Sequence, residues 1–193
     1  MLLLMMYNYG MKIGLFGGSF DPPHSGHLKI ANTLIAKKYC DVIWFVPCAQ
    51  HPYQKDISSA SHRFAMLKTF KNFSICAYEL NKNSTSYSIE TLEYFQKLFP
   101  NDTFIWIVGS DQLADFKKWY RYEDILKNFQ VLVYPRTGFP FDNMLPGIIK
   151  LEHVENIDIS STQIKNLLQE KKSIESYTTP EIIKYIKDNE LYQ

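Results

Sequence analysis

The 193-residue chain is poor in the features that would place it in a specialised class. Its three cysteines, Cys40, Cys48 and Cys76, cannot all pair and show no framework spacing. That excludes a disulfide-stapled scaffold and points to a reducing, cytoplasmic setting. An excess of one charge sign is also missing: 21 basic residues face 20 acidic ones, for a net charge of +1. No electrostatic footprint for nucleic acid follows. No apolar run approaches the ~20 residues of a membrane span. The leading MLLLMM has neither a basic leader nor a following small-residue cleavage site, so it is not read as a signal peptide. Residues 1–10 read as an N-terminal extension to a single domain over 11–193. Repeats, low-complexity tracts and linkers are absent as well. What the chain has is apolar and aromatic material, 46% hydrophobic and 15% aromatic, enough for one packed core.

From Lys12 onward, short apolar runs alternate with amphipathic stretches. Residues 12–17, 42–47, 73–78, 104–109 and 130–134 read as strands, each β-branched or aromatic and bounded by Gly, Pro or polar residues. Their near-continuous apolarity predicts a sheet covered on both faces, hence a parallel one. Leu28, Ala31, Leu34 and Ile35 mark one helical face, Phe64, Met66, Leu67 and Phe70 a second, and Ile89, Leu92, Phe95 and Leu98 or Phe99 a third. A strand near 148–153, a helix opening at Ser160–Thr162 and a last helix after Pro180 complete the reading. The fold class expected is α/β: a single Rossmann-like, doubly wound, mainly parallel sheet with its ligands at the carboxyl ends of the strands.

Directly after the first strand stands Gly17-Gly18-Ser19-Phe20-Asp21-Pro22-Pro23-His24-Ser25-Gly26-His27-Leu28. Glycines let main-chain N–H groups approach an anion, and the following helix N-terminus adds about half a positive charge. His24 and His27, three residues apart, are able to face one mouth and hold a polyphosphate, with Gly26 leaving room for a base or ribose. A dehydrogenase-type dinucleotide site would need G-x-G-x-x-G and an acid at the end of the second strand, where Val46-Pro47-Cys48 stands instead. The P-loop pattern is absent. His24-x-x-His27 with Cys48-x-x-His51 has the form of a zinc site, but spacing of this kind arises by chance and leaves the glycines unexplained. A merely structural turn carrying two surface histidines is the plainest alternative.

GGSFDPPHSGHL resembles the (H/T)-x-G-H signature of the nucleotidyltransferase superfamily, and its wording is similar to the bacterial nicotinate-nucleotide adenylyltransferase family. The resemblance runs from Met11 to about Tyr185. Ser86-Tyr87-Ser88-Ile89-Glu90-Thr91-Leu92 is similar to that family's S-Y-T-x-x-T-L. Gly109-Ser110-Asp111 with Trp119-Tyr120 resembles its G-[AS]-D…W segment. Tyr134-Pro135-Arg136 matches the place of a phosphate-contacting arginine, and Ile159-Ser160-Ser161-Thr162-Gln163-Ile164-Lys165 resembles I-S-S-T-x-I-R. Several of these residues also have a plain structural reading: Ser86, Ser88, Asp111 and Ser160 to Thr162 are good helix caps, and Trp119 would ordinarily be core.

The resemblance implies adenylyl transfer from ATP to nicotinate mononucleotide, giving nicotinate adenine dinucleotide and pyrophosphate. His24, His27 and Lys165 would be catalytic. Gly17, Gly18, Ser19, Phe20, Gly26, Ser160, Ser161 and Thr162 would bind ATP. His51, Lys55, Ser88, Thr91, Gly109, Asp111, Trp119, Tyr120 and Arg136 would bind the acceptor. Mg²⁺ would be held mainly by ATP phosphates, with no metal ligand set in the protein. The expected partners are ATP and nicotinate mononucleotide, without nucleic acid or membrane; a homo-oligomer is compatible with the sequence. A sister transferase acting on nicotinamide mononucleotide or phosphopantetheine, and a non-catalytic nucleotide sensor, are the alternatives. Two positions depart from the family: Lys165 stands where it has Arg, and Gln50-His51-Pro52 where it has P-P-H-K, with Lys55 three residues further on.

Overall fold

The computed structural model describes residues 10–49, 57–82, 85–142, 144–152 and 154–193. The expected extension therefore lies outside the described residues except for Gly10, as do His51 and Lys55. Six strands form one sheet: β1 (Lys12–Gly18), β2 (Val42–Pro47), β3 (Ser74–Ile75), β4 (Thr103–Gly109), β5 (Gln130–Tyr134) and β6 (Ile148–Lys150). All five pairings are parallel, in the order β3-β2-β1-β4-β5-β6. The helices are α1 (Ser25–Ala36), α2 (Ala60–Leu67), α3 (Ser88–Leu98), α4 (Tyr122–Asn128), α5 (Ser161–Gln169) and α6 (Pro180–Asp188), with a 3₁₀ stretch at Ser110–Lys118.

Alternate strand residues supply the two cores. Phe16, Ile105, Ile107 and Leu132 meet Ile30, Leu34, Met66, Ile164 and Ile182 on one side. Ile13, Leu15, Phe104, Trp106 and Val131 meet Ile89, Leu92, Phe95 and Ile125 on the other. Burial on both faces explains why the strands read as continuous apolar runs. The expected strand over 73–78 shortens to Ser74–Ile75, since this outermost strand pairs only at Trp44↔Ser74 and Phe45↔Ile75. The one near 148–153 shortens in the same way, to Ile148–Lys150. Phe116-Lys117-Lys118 closes the 3₁₀ stretch, and α4 has no counterpart among the helices expected from the sequence. Among the described residues no helix is long and apolar enough to cross a membrane.

Candidate active site

Connections leave β1 toward β2 on one side and reach β4 on the other, so a crevice opens above the carboxyl ends of these two central strands. A cleft of about 370 Å³ occupies it. Gly17 and Gly18 end β1, and Gly109 ends β4. At Gly109 the chain closes tightly, because a Cβ would lie 2.3 Å from Asp111 Oδ1 and 2.7 Å from Arg136 Cδ.

His24 and His27 both line the cleft, with stacked rings 3.6 Å apart between centroids. The main-chain N–H of His24 donates to His27 Nδ1 at 3.1 Å. Nε2 is then the atom that carries the proton of the neutral His27 ring. Below it the ring meets Phe20 and Phe16 edge-on, at 4.9 and 5.7 Å. Burial pushes both imidazoles down, His24 to about 3, and the neighbouring Arg136 cation adds to the effect. Both rings are therefore neutral hydrogen-bonding groups at pH 7. Nδ1 of His24 is buried without a partner among the described residues, a cost that a bound group would relieve.

Facing the histidines is the start of α5. Ser160 caps it by accepting from the Gln163 N–H at 3.1 Å, and the Ser161 hydroxyl donates to Pro22 O at 2.9 Å. Ser161 and Thr162 line the cleft from the first turn of α5, where main-chain N–H groups have no helical partner, as in an anion site. Arg136 completes this end. Its Nε lies 3.7 Å from Asp111 Oδ1, and its Nη2 donates to Ile159 O at 3.3 Å.

The opposite end is aromatic. Trp119 stacks on Phe116 at 4.8 Å between centroids while lining the cleft, and Tyr120 packs against Tyr87 at 4.8 Å. Ser88 opens α3 and lines the cleft together with these rings, at the helix end whose first N–H groups lack helical partners. Gly17, Gly18, Ser19, Phe20, His24, His27, Ser88, Gly109, Asp111, Trp119, Tyr120, Arg136, Ser160, Ser161 and Thr162 are thus brought to one cleft.

Three expected contacts are placed elsewhere. A Cβ on Gly26 would meet Ile157 Cγ2 at 2.7 Å and the His24 ring at 3.0 Å, so packing against these groups, and not space for a ligand, requires the glycine. Thr91 is fully buried behind the cleft and donates to Glu79 Oε1 at 2.7 Å. Lys165 does not line the cleft, and its ammonium lies 3.1 Å from Asp21 Oδ2.

Two groups escaped the sequence reading. Glu79 lines the cleft almost fully buried, and burial pushes its carboxyl up although Thr91 and Ser86 hydrogen-bond to it. Arg63, fully buried, donates to Ser58 O, Ser19 O and Ala49 O at 2.9, 2.8 and 3.2 Å. It ties the glycine turn to both ends of the 50–57 segment. A lone Glu or Arg in an amphipathic stretch carries no signal of such a role. Among the described residues no group of three His, Cys, Asp or Glu is placed to hold a metal.

Residues 15–167 match the family model described as cytidylyltransferase-like. A nicotinate-nucleotide adenylyltransferase from Bacillus subtilis is 32% identical over 188 residues, covering 94% of this chain and 98% of that protein. A protein named a probable nicotinate-nucleotide adenylyltransferase, from Bacteroides thetaiotaomicron, is 36% identical over 185 residues, covering 92% of both. Among solved structures, the Plasmodium falciparum nicotinic acid mononucleotide adenylyltransferase complexed with NaAD aligns with a TM-score of 0.78. It is 22% identical, over 94% of this chain and 97% of that one, a likeness of fold.

Proposed function

The chain belongs to the cytidylyltransferase-like family, and from that premise we propose that it transfers the adenylyl group of ATP to nicotinate mononucleotide in the cytoplasm, releasing pyrophosphate. The relatives named above support the substrates. The observation that carries the reading is the two-ended cleft, with imidazoles and a helix start at one end and a stacking indole beside a second helix start at the other.

The acceptor's 5′-phosphate is an anion at pH 7 and needs no general base. One of its oxygens attacks the α-phosphorus of ATP, the bond from that phosphorus to the bridging oxygen breaks, and pyrophosphate leaves with the electron pair. The protein's share is positioning and neutralisation of charge. His27 Nε2–H, the amides of the glycine turn and the start of α5 donate to phosphate oxygens, while Arg136 opposes the developing charge. Mg²⁺ would enter with the nucleotide, held by phosphate oxygens and water, and would neutralise the leaving group.

At the other end the pyridine ring stacks on Trp119, and its 3-carboxylate faces the N–H groups at the start of α3. Those donors attract a carboxylate and confront the NH₂ of an amide. The dipole and an unpaired donor together amount to about 10- to 1,000-fold in kcat/KM. Pyrophosphate release measured with ATP and nicotinate mononucleotide, nicotinamide mononucleotide or phosphopantetheine tests the assignment. The acid should be preferred by at least about tenfold. Equal rates would overturn the acceptor assignment, and no release with any acceptor would leave a binding module.

A further inference from the structure

Phe20 sits in the left-handed region, at φ 51°, where a side chain is strained, and Asp21 follows it with 1% of its surface exposed. Both carboxylate oxygens of Asp21 are engaged. Oδ1 accepts from the Tyr192 hydroxyl at 2.6 Å, and Oδ2 accepts from the Ser58 N–H at 3.2 Å and the Lys165 ammonium at 3.1 Å. The Lys165 ammonium also stands 5.9 Å from the centre of the Tyr192 ring. Further along the same segment, Ser161 donates to Pro22 O, Thr178 donates to Pro23 O at 3.0 Å, and the Ser25 N–H donates to Tyr177 O at 2.9 Å. Besides the nearer Ser58 and Arg63, the back of the nucleotide-facing turn is thus held by residues 139 to 171 positions away in sequence.

We propose that Tyr192 and Lys165 are positioning residues for ATP, which grip the buried carboxylate of Asp21 and so hold the turn from Gly17 to His24 in the shape that receives the phosphates. The inference rests on the adenylyl-transfer reading for the identity of the nucleotide. On this view Lys165 acts through Asp21, with no contact of its own to phosphate. The replacement of arginine by lysine then costs little, because one ammonium beside one oxygen is all that the grip requires. Tyr192 is its partner on the other oxygen. The two side chains work on one carboxylate, so their effects on ATP are coupled.

The test is ATP affinity by calorimetry, with no acceptor present, for the full chain and for Tyr192→Phe, Lys165→Met and the double variant, alongside steady-state kinetics. A hydrogen bond to a charged group is worth about 10- to 150-fold in an equilibrium constant. If part of that reaches the turn, Tyr192→Phe should weaken ATP binding and raise the KM for ATP by about five- to tenfold. The KM for the mononucleotide and kcat should stay within about twofold. Lys165→Met should weaken ATP more, Lys165→Arg should restore most of the loss, and the double variant should fall short of the product of the single effects. Unchanged ATP affinity in Tyr192→Phe overturns the proposal, as does a fully multiplicative double variant. So does a loss of activity in which every parameter simply tracks the folded fraction. A wild-type chain that binds no ATP overturns the underlying reading as well. Binding of ATP by both wild type and Tyr192→Phe with equal affinity removes only the inference.

Discussion

Acid should loosen this fold through its paired histidines. In the native chain burial holds His24 near 3, whereas an unfolded histidine titrates at about 6.5. As pH falls below about 6.5 the unfolded chain takes up a proton that the native site refuses, so unfolding becomes easier. The loss grows until the pH reaches about 3, where the native ring also charges, and then stops. At pH 5 it amounts to about 2 kcal/mol relative to neutrality for His24 alone. His27, lowered by burial and by its neighbour, adds in the same direction. Glu79, raised by burial, works in the opposite sense, because its native form gains a proton before the unfolded one does. Asp21, which its hydrogen bonds keep low against the pull of burial, contributes only as pH drops below the ordinary carboxylate range. Urea unfolding of wild type and His24→Gln at pH 7, 6 and 5 isolates the effect. The stability difference between pH 7 and pH 5 should shrink in the variant by about 2 kcal/mol. An unchanged pH dependence would mean that the native ring takes up its proton in step with the unfolded one, and that burial does not hold it neutral.

Two other substitutions probe the acceptor end of the cleft and the frame behind it. Trp119→Ala should raise the KM for nicotinate mononucleotide by about 5- to 150-fold, the worth of one stacked base, with the KM for ATP changed by less than about twofold; equal effects on both substrates would remove the indole from the acceptor end. Arg63→Lys keeps the charge but loses the planar fork whose separate nitrogens reach three carbonyls, so urea unfolding should show a loss of about 2–4 kcal/mol. A loss below about 1 kcal/mol would show that solvent reaches those carbonyls.

What the sequence disclosed is what is local. Strands β1, β2, β4 and β5 follow from short apolar runs because each is buried on both faces. The outer strands β3 and β6 pair along two or three residues, too few to impose a pattern. Helix α4 spans seven residues, about two turns, and shows no clear period. The cleft was legible in the same way, since Gly17 to His27, Gly109 to Asp111 and Ser160 to Thr162 are contiguous strings whose chemistry shows without the fold. Arg63 and Tyr192 were not legible. Their partners are main-chain carbonyls as far as 44 positions off and a carboxylate 171 positions away, and only the packed chain brings these together. Lys165 was legible as a cation, but its direction was not.

The imidazole of His27 rests on the rings of Phe16 and Phe20, which belong to the same apolar cluster as Phe45 and Ile107. Such a cluster ordinarily tolerates exchange among side chains of similar volume. Here that freedom is curtailed, because a ring that tilts in the floor turns the proton-bearing edge of the histidine above it. Drift of sequence in this part of the interior is therefore constrained by the angle of one hydrogen bond as well as by the filling of space, and variants that fold normally can still have lost the alignment of the site.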